Sequence, residues 1–173
     1  MERKITEHDG KKYRVLDGSS SDSLYFFDRG IVKLKEDKYE DAYIDFTQAI
    51  NINPSFGMAY VNRAIAYKYL DKIQESFNDL AKALELDPIN TQALYNRGYM
   101  FGQQSKFEES KSHMDAILKI EPQSGKALYV RGMAKINMKD NEGACKDWKR
   151  AIELGYEDID GVIEKHCNSW WRN

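Results

Sequence analysis

The chain contains three prolines, and their spacing is the strongest constraint on its fold. Pro54, Pro88 and Pro122 follow one another at intervals of 34 residues. A fixed period of this size is typical of repeat proteins, in which each copy is one supersecondary unit. Taking the proline as position 32 of a copy divides most of the chain into four windows: residues 23–56, 57–90, 91–124 and 125–158.

Equivalent positions of the four windows carry residues of similar size. Position 8 is always glycine or alanine, at Gly30, Ala64, Gly98 and Gly132. Position 20 is alanine or serine, at Ala42, Ser76, Ser110 and Ala144. Position 24 is large and apolar, at Phe46, Leu80, Met114 and Trp148. Large apolar residues at helical spacing, interrupted by small ones, predict two amphipathic helices per copy that cross at close range.

This pattern resembles the tetratricopeptide repeat, whose 34-residue unit is a pair of antiparallel helices. The resemblance implies an all-α fold, a right-handed α-solenoid of four helix-turn-helix repeats with a C-terminal capping helix. The chain departs from the family pattern with arginine at position 7 of each copy, Ile117 at position 27 and Tyr156 in place of a fourth proline. Residues 143–148 and 153–156 are similar to the closing unit of some bacterial members of the family.

The segments on either side of the repeats have different patterns. Residues 1–22 form an N-terminal arm, in which Asp9-Gly10 between two alternating segments predicts a β-hairpin; a mobile arm is the alternative. Residues 17–22 have the composition of a linker. Residues 159–173 are predicted to form the capping helix, because the last copy needs a cover for its apolar side. Its apolar face would hold Ile159, Val162, Ile163, His166 and Trp170.

Charge and hydropathy argue against several classes of partner. The net charge of −2 gives no support for binding nucleic acid or an anionic membrane surface. No apolar run approaches the length of a membrane span. The first ten residues lack the apolar core of a signal peptide, so we expect a cytoplasmic protein.

The sequence offers little for catalysis or for a cofactor. Its three histidines are scattered, and no serine or cysteine lies in a nucleophile motif, so we expect a protein that is not an enzyme. Cys145 and Cys167 are interpreted as buried free thiols that lie near each other. A disulfide between them would require an oxidising compartment. A metal site that includes His166 is disfavoured, because the three residues lack ligand spacing.

Arginine occupies position 7 of every copy, and position 23 supplies a partner in three of them. We expect structural ion pairs between the two helices of a copy: Arg29 with Asp45, Arg63 with Asp79, and Arg131 with Asp147. In the third copy Arg97 faces His113 instead. A basic ladder that binds a carboxylate or phosphate is the alternative role for these arginines.

The resemblance implies a concave groove, lined by the first helix of each copy, that binds a partner's peptide or helix. The candidate groove residues are Phe27, Ile31, Met58, Asn62, Ile65, Tyr69, Tyr95, Asn96, Tyr99, Lys126, Tyr129 and Met133. Asparagine amides can fix a peptide backbone, and tyrosines give rigid contact area. We favour Asn62, Asn96, Tyr99 and Met133 as contact residues. The alternative role of Tyr95 and Tyr99 is to pack the repeats against one another and not to contact a partner.

One subclass of the family clamps the acidic C-terminus of heat-shock chaperones. Of its signature positions, which here hold Phe27, Ile31, Asn62, Gln92 and Asn96, only Asn62 matches. We therefore expect a non-catalytic scaffold that binds another protein or peptide and has no cofactor. The alternative is self-assembly as a homodimer through the convex face, the ends or the N-terminal arm. The expected state in solution is a monomer or weak homodimer.

Overall fold

The structure, a computed structural model, describes residues 5–8, 11–14, 20–157 and 161–167. Strands β1 (Ile5–His8) and β2 (Lys11–Arg14) pair antiparallel, with Ile5 opposite Arg14 and His8 opposite Lys11. The arm therefore contains two paired strands. The Asp9-Gly10 dipeptide expected to connect them lies outside the described residues.

The helices follow the predicted period. In the described part they are α1 (Ser20–Lys35), α2 (Tyr39–Ile52), α3 (Gly57–Tyr69), α4 (Ile73–Leu86), α5 (Thr91–Gln103), α6 (Phe107–Ile120), α7 (Gly125–Asn137), α8 (Asn141–Glu153) and α9 (Val162–Cys167). The first eight form one helix-turn-helix pair per window, which confirms the predicted fold class. α1 begins at Ser20, inside the predicted linker, with Asp22 in its first turn, where a carboxylate favours a helix N-terminus. Ile159 and Trp170 lie outside the described residues.

The turn between the two helices of a copy has the same geometry in all four copies. Position 15 takes a left-handed conformation, with φ between 57° and 66°, at Asp37, Asp71, Ser105 and Lys139. The next N–H then reaches back to a carbonyl five residues earlier, as from Lys38 to Lys33 and from Asp140 to Lys135, each at 2.9 Å. This is the Schellman ending of a helix. Because this turn has the same length in every copy, the two helices of each copy keep the same alignment.

The two helices of a copy approach most closely at position 8. A Cβ placed on Gly30 would lie 2.7 Å from Phe46 Cε1, and one on Gly132 would overlap the indole of Trp148. The second copy has Leu80 at position 24, and there Ala64 is accommodated with 1 % of its surface exposed. Position 8 is glycine in the copies where the side chain at position 24, Phe46, Met114 or Trp148, reaches the place that a Cβ would take.

The structure divides into two compact units, residues 1–82 and 83–173, each with its own core. In the first unit Phe46 is fully buried and packs with Ala42 and Ala66. In the second unit, Met114 and Trp148 are fully buried in a larger cluster. Fewer, larger side chains from the second helices thus fill the space that small residues on the first helices leave.

A disulfide joins Cys145 on α8 to Cys167 on α9, so the interpretation of the two cysteines as free thiols is wrong. Ile163 and Cys167, four residues apart on α9, are buried in the core of the second unit. His166 is exposed, although it was expected on the buried face, and its ring centroid lies 6.3 Å from that of Trp148. α9 thus covers the last copy through Val162, Ile163 and Cys167, the last of which forms the crosslink.

Replacing Gly132 with alanine should destabilise the protein. The new methyl group overlaps Trp148, whose Nε1 donates to the Tyr129 carbonyl at 3.0 Å and so resists displacement. Overpacking of this kind costs about 1–3 kcal/mol, which urea denaturation can measure as a lower free energy of unfolding. Gly102→Ala is the matched control, because its methyl group would meet only the Ser110 side chain, at 3.2 Å from Oγ. Equal stability of the two variants would contradict the proposed crossing.

The Cys145–Cys167 disulfide should contribute to stability. It closes a loop between residues separated by 22 positions, for which loop-closure entropy predicts about 3 kcal/mol. We expect the Cys145→Ser, Cys167→Ser double variant to unfold at lower denaturant concentration than the oxidised protein. A reductant should shift the wild type in the same direction and leave the double variant unchanged. Two reactive thiols in the native protein purified without reductant would contradict the crosslink.

Candidate functional site

Ion pairs connect the two helices in three of the four copies: Arg29 with Asp45, Arg63 with Asp79, and Arg131 with Asp147. Each is bidentate, as where Arg131 Nε donates to Asp147 Oδ2 at 2.8 Å and Nη2 donates to Oδ1 at 2.6 Å. The three aspartates are buried. A buried carboxylate needs such a partner, so these arginines are occupied within the protein.

Two of the same arginines also contact the preceding copy. Arg63 Nη1 donates to Thr47 Oγ1 at 3.1 Å, and Arg131 Nη1 donates to Asp115 Oδ1 at 2.6 Å. Position 7 therefore connects three helices rather than two. A guanidinium suits this position because its donors lie on both edges, so it can hold the aspartate and reach the preceding copy at once.

The predicted groove residues of the first unit lie on α1 and α3, and most of them are partly buried. Phe27 packs against Phe46 and Phe56, with ring centroids 5.8 and 4.8 Å away. Ile31, Met58 and Ile65 are also half-buried. These side chains contribute mainly to packing of the unit.

Tyr69 is the most exposed aromatic residue among the predicted groove positions, with 56 % of its surface accessible. Its ring stacks on that of Tyr39 with centroids 4.5 Å apart, and Lys68 Nζ lies 4.6 Å from its centroid. Tyr39 is on α2, so sequence reasoning restricted to first helices missed this stacked pair. It provides a flat aromatic surface at the end of α3.

The predicted groove residues of α5 and α7 are together called the α5–α7 face, defined by Tyr95, Asn96, Tyr99, Lys126 and Met133. Tyr99 is 39 % exposed, and its ring stacks against that of Tyr95 with centroids 6.1 Å apart. Lys126 is exposed, with Nζ 5.2 Å from the Tyr95 centroid. Burial raises the pKa of Tyr95 to about 12, so its hydroxyl remains protonated near neutral pH. The face combines aromatic surface, one amide and one cation.

Tyr129 does not belong to this face, which corrects its assignment to the groove. It is only 9 % exposed, and its ring centroid lies 4.8 Å from that of Tyr156. Tyr156 is the residue that replaces the fourth proline. Its side chain therefore packs beside position 5 of the last copy, a contact that the repeat pattern does not predict.

The two favoured asparagines differ in their availability to a partner. Asn62 Nδ2 donates to the Met58 carbonyl at 2.8 Å, and Asn96 Nδ2 donates to the Gln92 carbonyl at 2.9 Å. An amide anchored in this way retains its oxygen as an acceptor. Asn62 is buried, with 5 % of its surface exposed, whereas Asn96 is half-buried. Of these two asparagines, Asn96 is the one that combines a fixed orientation with access from solvent.

Two other kinds of site are absent from the described residues. No group of three or more histidine, cysteine, aspartate or glutamate side chains there is arranged to hold a metal ion. None of the described helices is long and apolar enough to cross a membrane.

Solved structures provide close matches to this fold. MamA from Desulfovibrio magneticus RS-1 is 16 % identical, with a TM-score of 0.75 over 86 % of this chain and 85 % of that one. The pilF protein of Pseudomonas aeruginosa is 17 % identical, with a TM-score of 0.80 over 88 % and 70 %. The first repeat domain of Spaghetti (RPAP3), solved bound to the HSP90 peptide SRMEEVD, is 26 % identical, with a TM-score of 0.67 over 70 % and 96 %.

Sequence comparison gives a narrower result. A search of curated proteins finds no significant match. The family model described as tetratricopeptide repeat matches residues 59–90 and 91–124, which are the second and third copies. The second and third copies are therefore tetratricopeptide repeats, and the helix pairs before and after them have the same period.

Proposed function

We propose that the protein is a non-catalytic binding module whose α5–α7 face holds an extended segment of a partner protein. The observation that carries this proposal is the exposed ring of Tyr99, stacked on Tyr95 and next to the anchored amide of Asn96. A related domain of 26 % identity is solved with a bound peptide, which supports the same class of function.

The chemistry of the face indicates what kind of segment it would take. Tyrosine rings offer rigid apolar area at low entropic cost, so an apolar or aromatic side chain of the partner would pack on Tyr99. The Asn96 oxygen would accept a hydrogen bond from a backbone N–H of an extended chain. Lys126 is the single charged residue of the face, so an acidic side chain nearby in the partner would be favoured over a basic one.

We do not propose that this chain binds the HSP90 peptide with which the RPAP3 domain was solved. The clamp positions of the second and third copies hold Asn62, Gln92 and Asn96, and the first copy has Phe27 and Ile31. Without lysine or arginine at these positions, a terminal carboxylate would lose its charged donors. The partner proposed here is bound through aromatic packing and a backbone hydrogen bond instead.

The disulfide affects where we propose the protein works. The sequence suggested the cytoplasm, where thiols are normally kept reduced. The Cys145–Cys167 crosslink joins α9 to the last copy and belongs to the folded form described here. We therefore propose that the binding-competent form works in an oxidising compartment, in place of the cytoplasmic location.

Self-association is a second candidate function, and exposure on α1 favours it. Tyr25 and Val32, at positions 3 and 10 of the first copy, are 43 % and 51 % exposed. The equivalent residues of the other copies are at most 3 % exposed: Ala59, Ala93 and Ala127 at position 3, and Ala66, Met100 and Ala134 at position 10. The first copy thus leaves uncovered the positions that are buried in every other copy, and a second chain could cover them in a symmetric dimer.

The partner-binding proposal predicts that Tyr99→Ala will lose proteins captured by the wild type from an extract of the native cell. Removing an interface tyrosine typically costs about 1–3 kcal/mol, or roughly 5- to 150-fold in affinity. Quantitative mass spectrometry of proteins recovered with each bait measures the change. Far-ultraviolet circular dichroism checks that the variant is folded.

Tyr25→Ala is the matched control, because it removes a tyrosine of similar exposure from α1. It should retain the captured partners and lower only self-association, measured by sedimentation at several concentrations. If Tyr99→Ala recovers the same proteins as the wild type, the α5–α7 face is not the binding surface. If Tyr25→Ala alone loses them, the self-association face is the functional one.

A further inference from the structure

Arg97 differs from the other three position-7 arginines because position 23 of its copy does not carry a carboxylate. In the first, second and fourth copies the guanidinium holds an aspartate of the facing helix through Nε and Nη2. In the third copy, position 23, which holds the aspartate in the other copies, is His113. Among the described residues, Arg97 Nε is buried and has no hydrogen-bond partner. A buried donor without an acceptor calls for an explanation, since most such groups are paired.

The surroundings of Arg97 are cationic and aromatic. Its Cζ lies 5.5 Å from the ring centroid of Phe101, and Lys106 Nζ lies 5.7 Å from the same centroid. The ring of His113 is 5.3 Å from that of Phe101. Arg97 as a whole is half-buried, so solvent reaches the side chain although its Nε is covered.

His113 does not replace the missing carboxylate. Its Nδ1 lies 2.8 Å from the backbone carbonyl of Glu109, and because a carbonyl only accepts, this nitrogen carries the proton. Burial lowers the pKa of His113 from its ordinary value, and the charge of Arg97 lowers it further. The imidazole is therefore neutral at pH 7 and leaves the charge of the guanidinium uncompensated.

We propose that Arg97 is a binding site for a carboxylate supplied by a partner, from an aspartate or glutamate side chain. Three copies of this same protein show how a guanidinium at position 7 receives such a group, with two parallel N–H···O bonds. The incoming carboxylate accepts hydrogen bonds from the guanidinium N–H groups of Arg97. The guanidinium lies over the face of the Phe101 ring, which attracts a cation.

This site is separate from the groove. Arg97 is at position 7 of its copy, whereas the groove positions of the third copy include Tyr95, Asn96 and Tyr99. A peptide on the α5–α7 face is not required for a carboxylate to bind Arg97. The two proposals can therefore fail independently.

Nuclear magnetic resonance of the full chain, with ¹⁵N-labelled arginine, tests the site through the Nε–Hε signals. Sodium acetate is the probe, titrated at pH 7 against sodium chloride at constant ionic strength. We expect a saturable shift of the Arg97 signal, with half-saturation on the order of 10–100 mM, as for a single small anion. The signals of Arg29, Arg63 and Arg131 should not move, because their aspartates already occupy them.

His113→Asp and His113→Asn form the matched pair of variants. The new aspartate side chain should form an ion pair with Arg97, as in the other three copies. It should therefore abolish the response of Arg97 to acetate and raise the melting temperature. The asparagine has nearly the same shape without the charge, so it should leave the acetate response intact. A shift that is linear in acetate concentration and equal for all four position-7 arginines would overturn the proposal. So would an Arg97 response that persists in His113→Asp. Saturation by inorganic phosphate with no response to acetate would overturn the assignment of the ligand as a carboxylate.

Discussion

The close crossing of two helices at position 8 is the contact on which the rest of the structure depends. Glycine there lets Phe46, Met114 and Trp148 pack directly against the backbone of the facing helix. Glycine is unfavourable in a helix by about 0.5–1 kcal/mol, and burial of a large side chain offsets that cost. Where position 24 is Leu80, alanine is accommodated at position 8. The same helix pair can therefore be built four times with different side chains.

The division of roles between the helices follows from this crossing. The second helices bring the largest buried side chains into each copy, so the first helices can expose polar and aromatic residues such as Tyr99 and Lys126. The arginines at position 7 connect the two helices through buried aspartates and, in two copies, reach the preceding copy as well. Such pairs orient helices more than they stabilise them, because desolvation offsets much of the attraction. Where the pair is incomplete, at Arg97, donor capacity remains for another molecule.

The repeat, the helix pairs and the position-7 ion pairs could be predicted because each depends on residues at fixed separations. The disulfide could not, because two cysteines 22 residues apart are compatible with free thiols or a bond until the placement of α9 is known. Tyr129 was misplaced because Tyr156 follows the repeat and packs against it. The start of α1 was missed because serines that serve as caps also occur within a first helical turn. Local periodicity therefore predicts elements well, while contacts from outside the repeat determine which candidate residues remain accessible.

We propose that the partner contacts the first helices of the second unit, α5 and α7, and not its second helices, α6 and α8. Hydrogen–deuterium exchange of the full chain, with and without a partner recovered by the wild type, tests this most directly. We expect slower exchange on binding within α5 (Thr91–Gln103) and α7 (Gly125–Asn137). Protection confined to α6 (Phe107–Ile120) and α8 (Asn141–Glu153) would contradict it.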